Sequence, residues 1–168
     1  MSHLLAVLAA TVVGQTAAAN NTLGEVNFAF DKSAPLGDTS VLLRHAATYA
    51  AAHSSERIVL NAHCDPIGAG PYNVALSIRR AEAVRDELAG MGVPREQIVI
   101  AAFGKDGAHR ASYAADRRVT VWATTAPLAS VIDSTFAARG TSVSWDKPLS
   151  VAQIEAPATA NGDAVASR

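Results

Sequence analysis

The sequence predicts an α+β domain: a two-layer β-α-β-α-β-β arrangement with one mixed sheet and helices packed on one face. Two observations carry this expectation. Four short segments alternate apolar and polar residues at period two, as half-buried strands do. Between the first three of them lie two longer segments with apolar residues at helical spacing, each long enough for a crossover. Glycine and proline clusters mark the joints.

In the first predicted strand, over 26–30, Val26, Phe28 and Phe30 share a face. A loop with Pro35 and Gly37 follows, and Asp38 or Thr39 is placed to cap a helix with the stripe Leu42, Ala46, Tyr49, Ala50 and His53. Arg57–His63 reads as the second strand, with Ile58, Leu60 and Ala62 on one face and Val59, Asn61 and His63 on the other. The loop over 64–72 holds two prolines and two glycines. Asn73 is expected to cap a long helix reaching Gly90, with Ala81, Val84, Leu88 and Met91 as its stripe and Gly92 and Pro94 as stop signals. Ile98–Phe103 is the third strand, 104–115 a polar loop, and Arg118–Ala123 the fourth strand, with Val119, Val121 and Ala123 on one face. Asn27, Asn61 and Thr120 predict that the sheet's other face is partly wet.

Beyond this core, Leu128, Val131, Ile132 and Phe136 form a short helical stripe closed by Gly140, expected to pack back on the domain, and 141–145 fits a short strand. The expected organisation is a signal peptide over 1–19, the main domain over 24–124, an extension over 125–155, and a disordered tail over 156–168, where Ala, Pro, Asn, Gly and Ser dominate. The signal-peptide expectation rests on the uncharged run Leu4–Gly14 followed by small residues, although Met1-Ser2-His3 lacks a lysine or arginine. That run is too short to span a bilayer.

The net charge of −1 gives no reason to expect nucleic acid as a partner. The lone cysteine, Cys64, excludes an internal disulfide and a cysteine-rich zinc site. His63 and Cys64 are neighbours at a strand end, so their side chains diverge rather than forming a nucleophile–base pair, and no catalytic motif is present; neither catalysis nor a cofactor is expected. His63 and Asp65 lie two apart and share a face in this reading, with His109 as a conceivable third ligand, but two ligands are too few for structural zinc and no metal is expected. What stands out is a charge pair. Asp65 follows the second strand and Arg80 lies fifteen positions later on the helix, a combination suited to a small zwitterion.

Ala62-His63-Cys64-Asp65, the run from Tyr72 to Ala81, Gly92-Val93-Pro94, Phe103-Gly104 and Asp116-Arg117-Arg118-Val119 together resemble the C-terminal OmpA-like domain. Peptidoglycan-associated lipoproteins and flagellar stator proteins share that domain, and the resemblance covers about residues 24–124. It implies non-covalent binding of peptidoglycan through the diaminopimelate of the stem peptide. Asp65 would take the ammonium and Arg80 would grip the carboxylate with a bidentate fork. Asn73 and Leu76 belong to the same motif, with weaker roles near Asp31 and Arg118. Neighbours on a strand point apart, so only one of Arg117 and Arg118 is expected to reach the site, and the resemblance favours Arg118. It also implies the periplasm or cell envelope of a Gram-negative-type bacterium, with outer-membrane association, and leaves room for another envelope protein as partner of the C-terminal extension. The alternative is an envelope interaction module that has lost wall binding and acts through that extension. Three positions depart from the usual pattern: Ala62 replaces a glycine, Cys64 a threonine, and Lys105 stands where an acid is common.

Overall fold

The computed structural model describes residues 20–106, 108 and 111–146. The expected signal peptide, the expected tail and His109 lie outside the described residues. The element order is β1 (Asn20–Asn27), α1 (Ser40–Ala52), β2 (Arg57–His63), α2 (Gly70–Gly90), a 3₁₀ turn (Arg95–Gln97), β3 (Ile98–Gly104), α3 (Tyr113–Asp116), β4 (Arg118–Thr124), α4 (Leu128–Ala137) and β5 (Ser142–Trp145).

The five strands form one mixed sheet in the order β1-β4-β2-β3-β5. β4 sits between β1 and β2, antiparallel to both, while β2 and β3 are parallel and joined through α2. The alternation read from the sequence sets the faces. Ile58, Leu60, Ala62, Ile98, Ile100, Val119, Val121 and Ala123 turn toward α1 and α2, where Leu43, Ala46, Ala81, Val84 and Leu88 complete the main core. Each large aliphatic side chain buried there contributes about 1.5–3 kcal/mol.

The opposite face is drier than expected at one end. Leu128 and Val131 of α4 pack on Val59, Val99, Ala101 and Phe103, with Trp122, Val143 and Trp145 at the margin. α1 and α2 thus lie on one face as predicted, while α4 covers part of the other. β5 pairs antiparallel with β3, and Asn61 and Thr120 stay half-buried toward the uncovered side.

Three boundaries differ from the sequence reading. β1 runs earlier, because β4 pairs with it from Asn20 to Asn27, and only a single bridge between Phe28 and Pro35 follows. Phe28 is still buried, but the chain turns at Ala29–Lys32, so Phe30 is exposed instead of sharing its face. α2 begins three residues before Asn73, with Ala69 as N-cap and Pro71 in the first turn, where a missing N–H costs nothing. The polar loop contains α3, capped by the Ser112 hydroxyl, which accepts from the Ala115 N–H at 3.2 Å.

Candidate functional site

At the C-terminal end of β2 the chain encloses a cavity of about 250 Å³. Asp65 and Cys64 come from the end of β2, Asn73, Leu76 and Arg80 from α2, and Asp31 from the turn after β1. Five of the six residues expected at the site, Asp31, Asp65, Asn73, Leu76 and Arg80, therefore line one space.

Arg80 is fully buried. Its Nε donates to the Lys32 carbonyl at 2.9 Å, its Nη1 to the His63 carbonyl at 3.0 Å and to Cys64 Sγ at 3.3 Å, and its Nη2 to the Ala29 carbonyl at 3.2 Å. The guanidinium also lies 5.1 Å from the centre of the Phe28 ring, in cation–π range. Burial pulls its pKa below the ordinary arginine value, and the neighbouring Cys64 and Asp65 oppose that. Of five N–H donors, four are thus engaged, leaving one Nη2 hydrogen. The expected bidentate fork is therefore corrected: α2 has turned Arg80 into a pin between two chain segments, with one donor to spare.

Asp65 is buried, with Oδ1 accepting from the Ile67 N–H at 3.2 Å and Oδ2 paired with Arg117 Nη1 at 3.0 Å. Arg117 itself is braced by donation from Nε to the Phe28 carbonyl at 3.1 Å. Each carboxylate oxygen has two acceptor directions, so Asp65 retains capacity for a ligand.

Arg118, the arginine favoured by resemblance, does not line the cavity. It donates to the Ala115 carbonyl and sits 3.7 Å from Asp116 and 4.0 Å from Glu25. The reason is strand parity. Arg118 shares the face of Thr120, whereas Arg117 falls on the face of Val119 and Val121, which is the face of α2. The alternation already visible in the sequence carried that signal.

Asn73 is not the N-cap. It lies inside the first turns of α2, where its own N–H bonds the Ala69 carbonyl, and its Nδ2 donates to the Ile67 carbonyl at 2.9 Å, bracing the turn that presents Asp65. The Ser77 hydroxyl accepts from the Gly104 N–H at 3.2 Å, tying β3 to α2. Gly104 has φ +55°, and a Cβ there would lie 3.1 Å from the Val74 backbone nitrogen, so this close approach suits glycine. His63 and Asp65 do not share a face: His63 keeps the Val59 face of β2 and its ring stacks on Phe103 at 4.6 Å, on the α4 side, whereas Asp65 lies past the end of the strand, where the alternation no longer holds. Among the described residues no three His, Cys, Asp or Glu side chains converge as a metal site would require.

The OmpA family model matches residues 27–120, more than half of the chain. The chain belongs to the OmpA family. It is 36% identical over 97 residues to the peptidoglycan-associated lipoprotein of Legionella pneumophila, covering 55% of each chain. To that of Haemophilus influenzae it is 32% identical over 101 residues, covering 57% of this chain and 66% of the relative. The chain thus spans between half and two thirds of the length of these relatives. The crystal structure of the peptidoglycan-associated lipoprotein from Burkholderia pseudomallei superposes with a TM-score of 0.53 at 33% identity, over 60% of this chain and 89% of that one. The periplasmic domain of Helicobacter pylori MotB shares the fold at 19% identity, with a TM-score of 0.51 over 65% of this chain and 74% of that one.

In this OmpA-family chain Cys64 has an identifiable environment. It is buried, its Sγ donates to the Asn73 carbonyl at 3.3 Å, and burial pushes its pKa up to about 11. At neutral pH it is a thiol, and a thiol is a poor nucleophile. Among the described residues no helix is long and apolar enough to cross a membrane.

Proposed function

We propose that this OmpA-family domain binds peptidoglycan without turnover, through the diaminopimelate of the stem peptide, and tethers itself or a partner to the wall. The observation that carries the reading is a single cavity lined by an acid with spare acceptor capacity, Asp65, and a buried guanidinium with one spare donor, Arg80. Asp65 takes the ligand's ammonium. The carboxylate is met by the remaining Nη2 hydrogen of Arg80 and by the N-terminal end of the 21-residue α2, where unpaired N–H groups and the helix dipole favour an anion. Leu76 supplies an apolar wall for the ligand's methylenes.

The names of the relatives support the setting. Peptidoglycan-associated lipoproteins and an outer membrane porin F from Pseudomonas fluorescens all match this region, consistent with the periplasm or outer-membrane envelope of a Gram-negative-type bacterium. The buried thiol of Cys64 and the stacked ring of His63 argue for binding rather than chemistry. The extension is the weaker candidate for the working surface, because Leu128 and Val131 are buried on its own sheet.

Pull-down with purified sacculi tests this. Asp65→Asn keeps the side-chain volume and removes the charge; it is expected to abolish retention that the wild type shows. Retention equal to wild type would remove Asp65 from the site.

A further inference from the structure

One polar contact at the cavity mouth has no role in the account above. The hydroxyl of Tyr72, in the first turn of α2, donates to Asp31 Oδ1 across 41 residues of chain. Tyr72 is half-exposed and lines the cavity together with Asp31. Asp31 is an unusual carrier for a ligand-facing acid. It lies in the exposed turn Ala29–Lys32, closed by the Lys32 N–H donating to the Ala29 carbonyl at 3.2 Å, and its own φ is +56°, in the left-handed region that few non-glycine residues adopt. α2 holds this turn twice. From inside, Arg80 donates to the carbonyls of Ala29 and Lys32, the two ends of the turn. From outside, Tyr72 holds the side chain at its apex. The Tyr72 ring is in turn faced by the guanidinium of Arg79, 5.8 Å from its centre.

Resting on the ligand proposed above, we infer that Tyr72 is a positioning residue, whose hydroxyl holds Asp31 at the mouth of the cavity as a second acceptor for the ammonium group of the ligand. Arg80 fixes the backbone of the turn but not the χ angles of Asp31. A free aspartate on an exposed turn would sample several rotamers and lose that freedom on binding. The Tyr72 bond removes part of that cost beforehand. It occupies one acceptor direction of Oδ1 and leaves Oδ2 and the remaining lone pair to the ligand. The phenol responds in the expected sense: the bond to Asp31 raises the Tyr72 pKa, because ionisation would break the bond and set two anions together, while Arg79 opposes the rise.

The experiment is a double-mutant cycle, with affinity for free meso-diaminopimelate measured by calorimetry on wild type, Tyr72→Phe, Asp31→Gly and the double variant. Tyr72→Phe keeps the ring and removes the donor; Asp31→Gly removes the carboxylate while suiting the positive φ. The expected result is an affinity about threefold to tenfold weaker for Tyr72→Phe with an unchanged melting temperature. In the Asp31→Gly background the same substitution should have no further effect. A Tyr72 that served only the fold would weaken binding whatever occupies position 31. Ultraviolet titration gives an independent readout: Asp31→Gly should return the Tyr72 phenol toward its ordinary pKa. Effects that multiply across the cycle, a Tyr72→Phe variant that binds like wild type, or an Asp31→Gly variant that does so, would each overturn the positioning role while leaving the cavity's ligand intact. A wild type that binds no diaminopimelate would overturn the ligand itself, and the positioning role with it.

Discussion

Helix α2 carries two charge clusters on different sides. Arg80 lines the cavity with Asp65, which Arg117 pairs from behind the lining; five residues on, about 140° around the helix, Arg85 and Asp86 join Arg95 and Asp146 nearer the surface. The distances hardly differ. Asp65–Arg117 is 3.0 Å, Asp86–Arg95 is 2.9 Å, and Asp146 reaches Arg85 and Arg95 at 3.4 Å. The environments do. The Asp65 and Arg117 side chains are 5% and 17% exposed, whereas those of Asp86 and Arg95 are 55% and 45% exposed. Arg85 is as sheltered as Arg117, but water screens Asp86 and Arg95 and competes for their hydrogen bonds, so the second cluster works as a loose clip on the segment after β5. In the first cluster Arg80 and Arg117 are held by main-chain carbonyls, and Asp65 is held by a backbone N–H as well as by Arg117. Proximity of charges is therefore a poor guide to importance here, and burial with several fixed partners is a good one.

Breaking the buried cluster should have the largest effect. Arg80→Ala leaves the carbonyls of Ala29, Lys32 and His63 without their charged donor, and is expected to cost on the order of 3–5 kcal/mol of stability in denaturant unfolding. The sequence reading gives Arg80 a role in the ligand site alone; the pinned geometry adds a role in the fold. An Arg80→Ala variant as stable as wild type would show that the pin is dispensable.

A smaller effect comes from Cys64, beside Arg80. Burial pushes its folded pKa up to about 11, above the ordinary thiol value of 9.0, so the folded state holds the proton more tightly. The resulting stabilisation is fully present below pH 9 and is lost as pH rises through about 11. The stability difference between wild type and Cys64→Ser, followed from pH 8 to pH 11, should move against the wild type across that window. A difference that is flat with pH would contradict the buried-thiol account. Smallest of all is Asp146→Ala at the surface, which should leave the thermal midpoint unresolved from wild type at physiological salt. A clear drop would mean that the exposed cluster does more than its exposure suggests.

Much of this was legible in the sequence, and the misses share a cause. Period-two alternation placed Ile58, Leu60 and Ala62 against the helices, and the same parity, extended one residue before β4, points Arg117 rather than Arg118 toward Asp65. Residues within one element obey their period. Where the chain leaves an element the period fails: Phe30 is exposed because a turn starts at Ala29, and His63 and Asp65 part because β2 ends at His63. The engagement of four of the five Arg80 donors was not legible, since three of the four acceptors are main-chain carbonyls, at Ala29, Lys32 and His63, which any residue type would provide. Asn73 has the right chemistry for a cap, but the Gly70-Pro71 pair starts the helix sooner and leaves Asn73 to brace the Asp65 turn.

The central claim is that the buried cluster is a ligand site and not merely a structural knot. Titrating meso-diaminopimelate calorimetrically into wild type and Asp65→Asn, with melting temperatures recorded for both, tests it most directly. The account predicts saturable binding to the wild type and at least about a tenfold loss in Asp65→Asn, as expected for a charged hydrogen bond removed from a buried site, with the variant still folded. Equal affinity in the two folded proteins would contradict it.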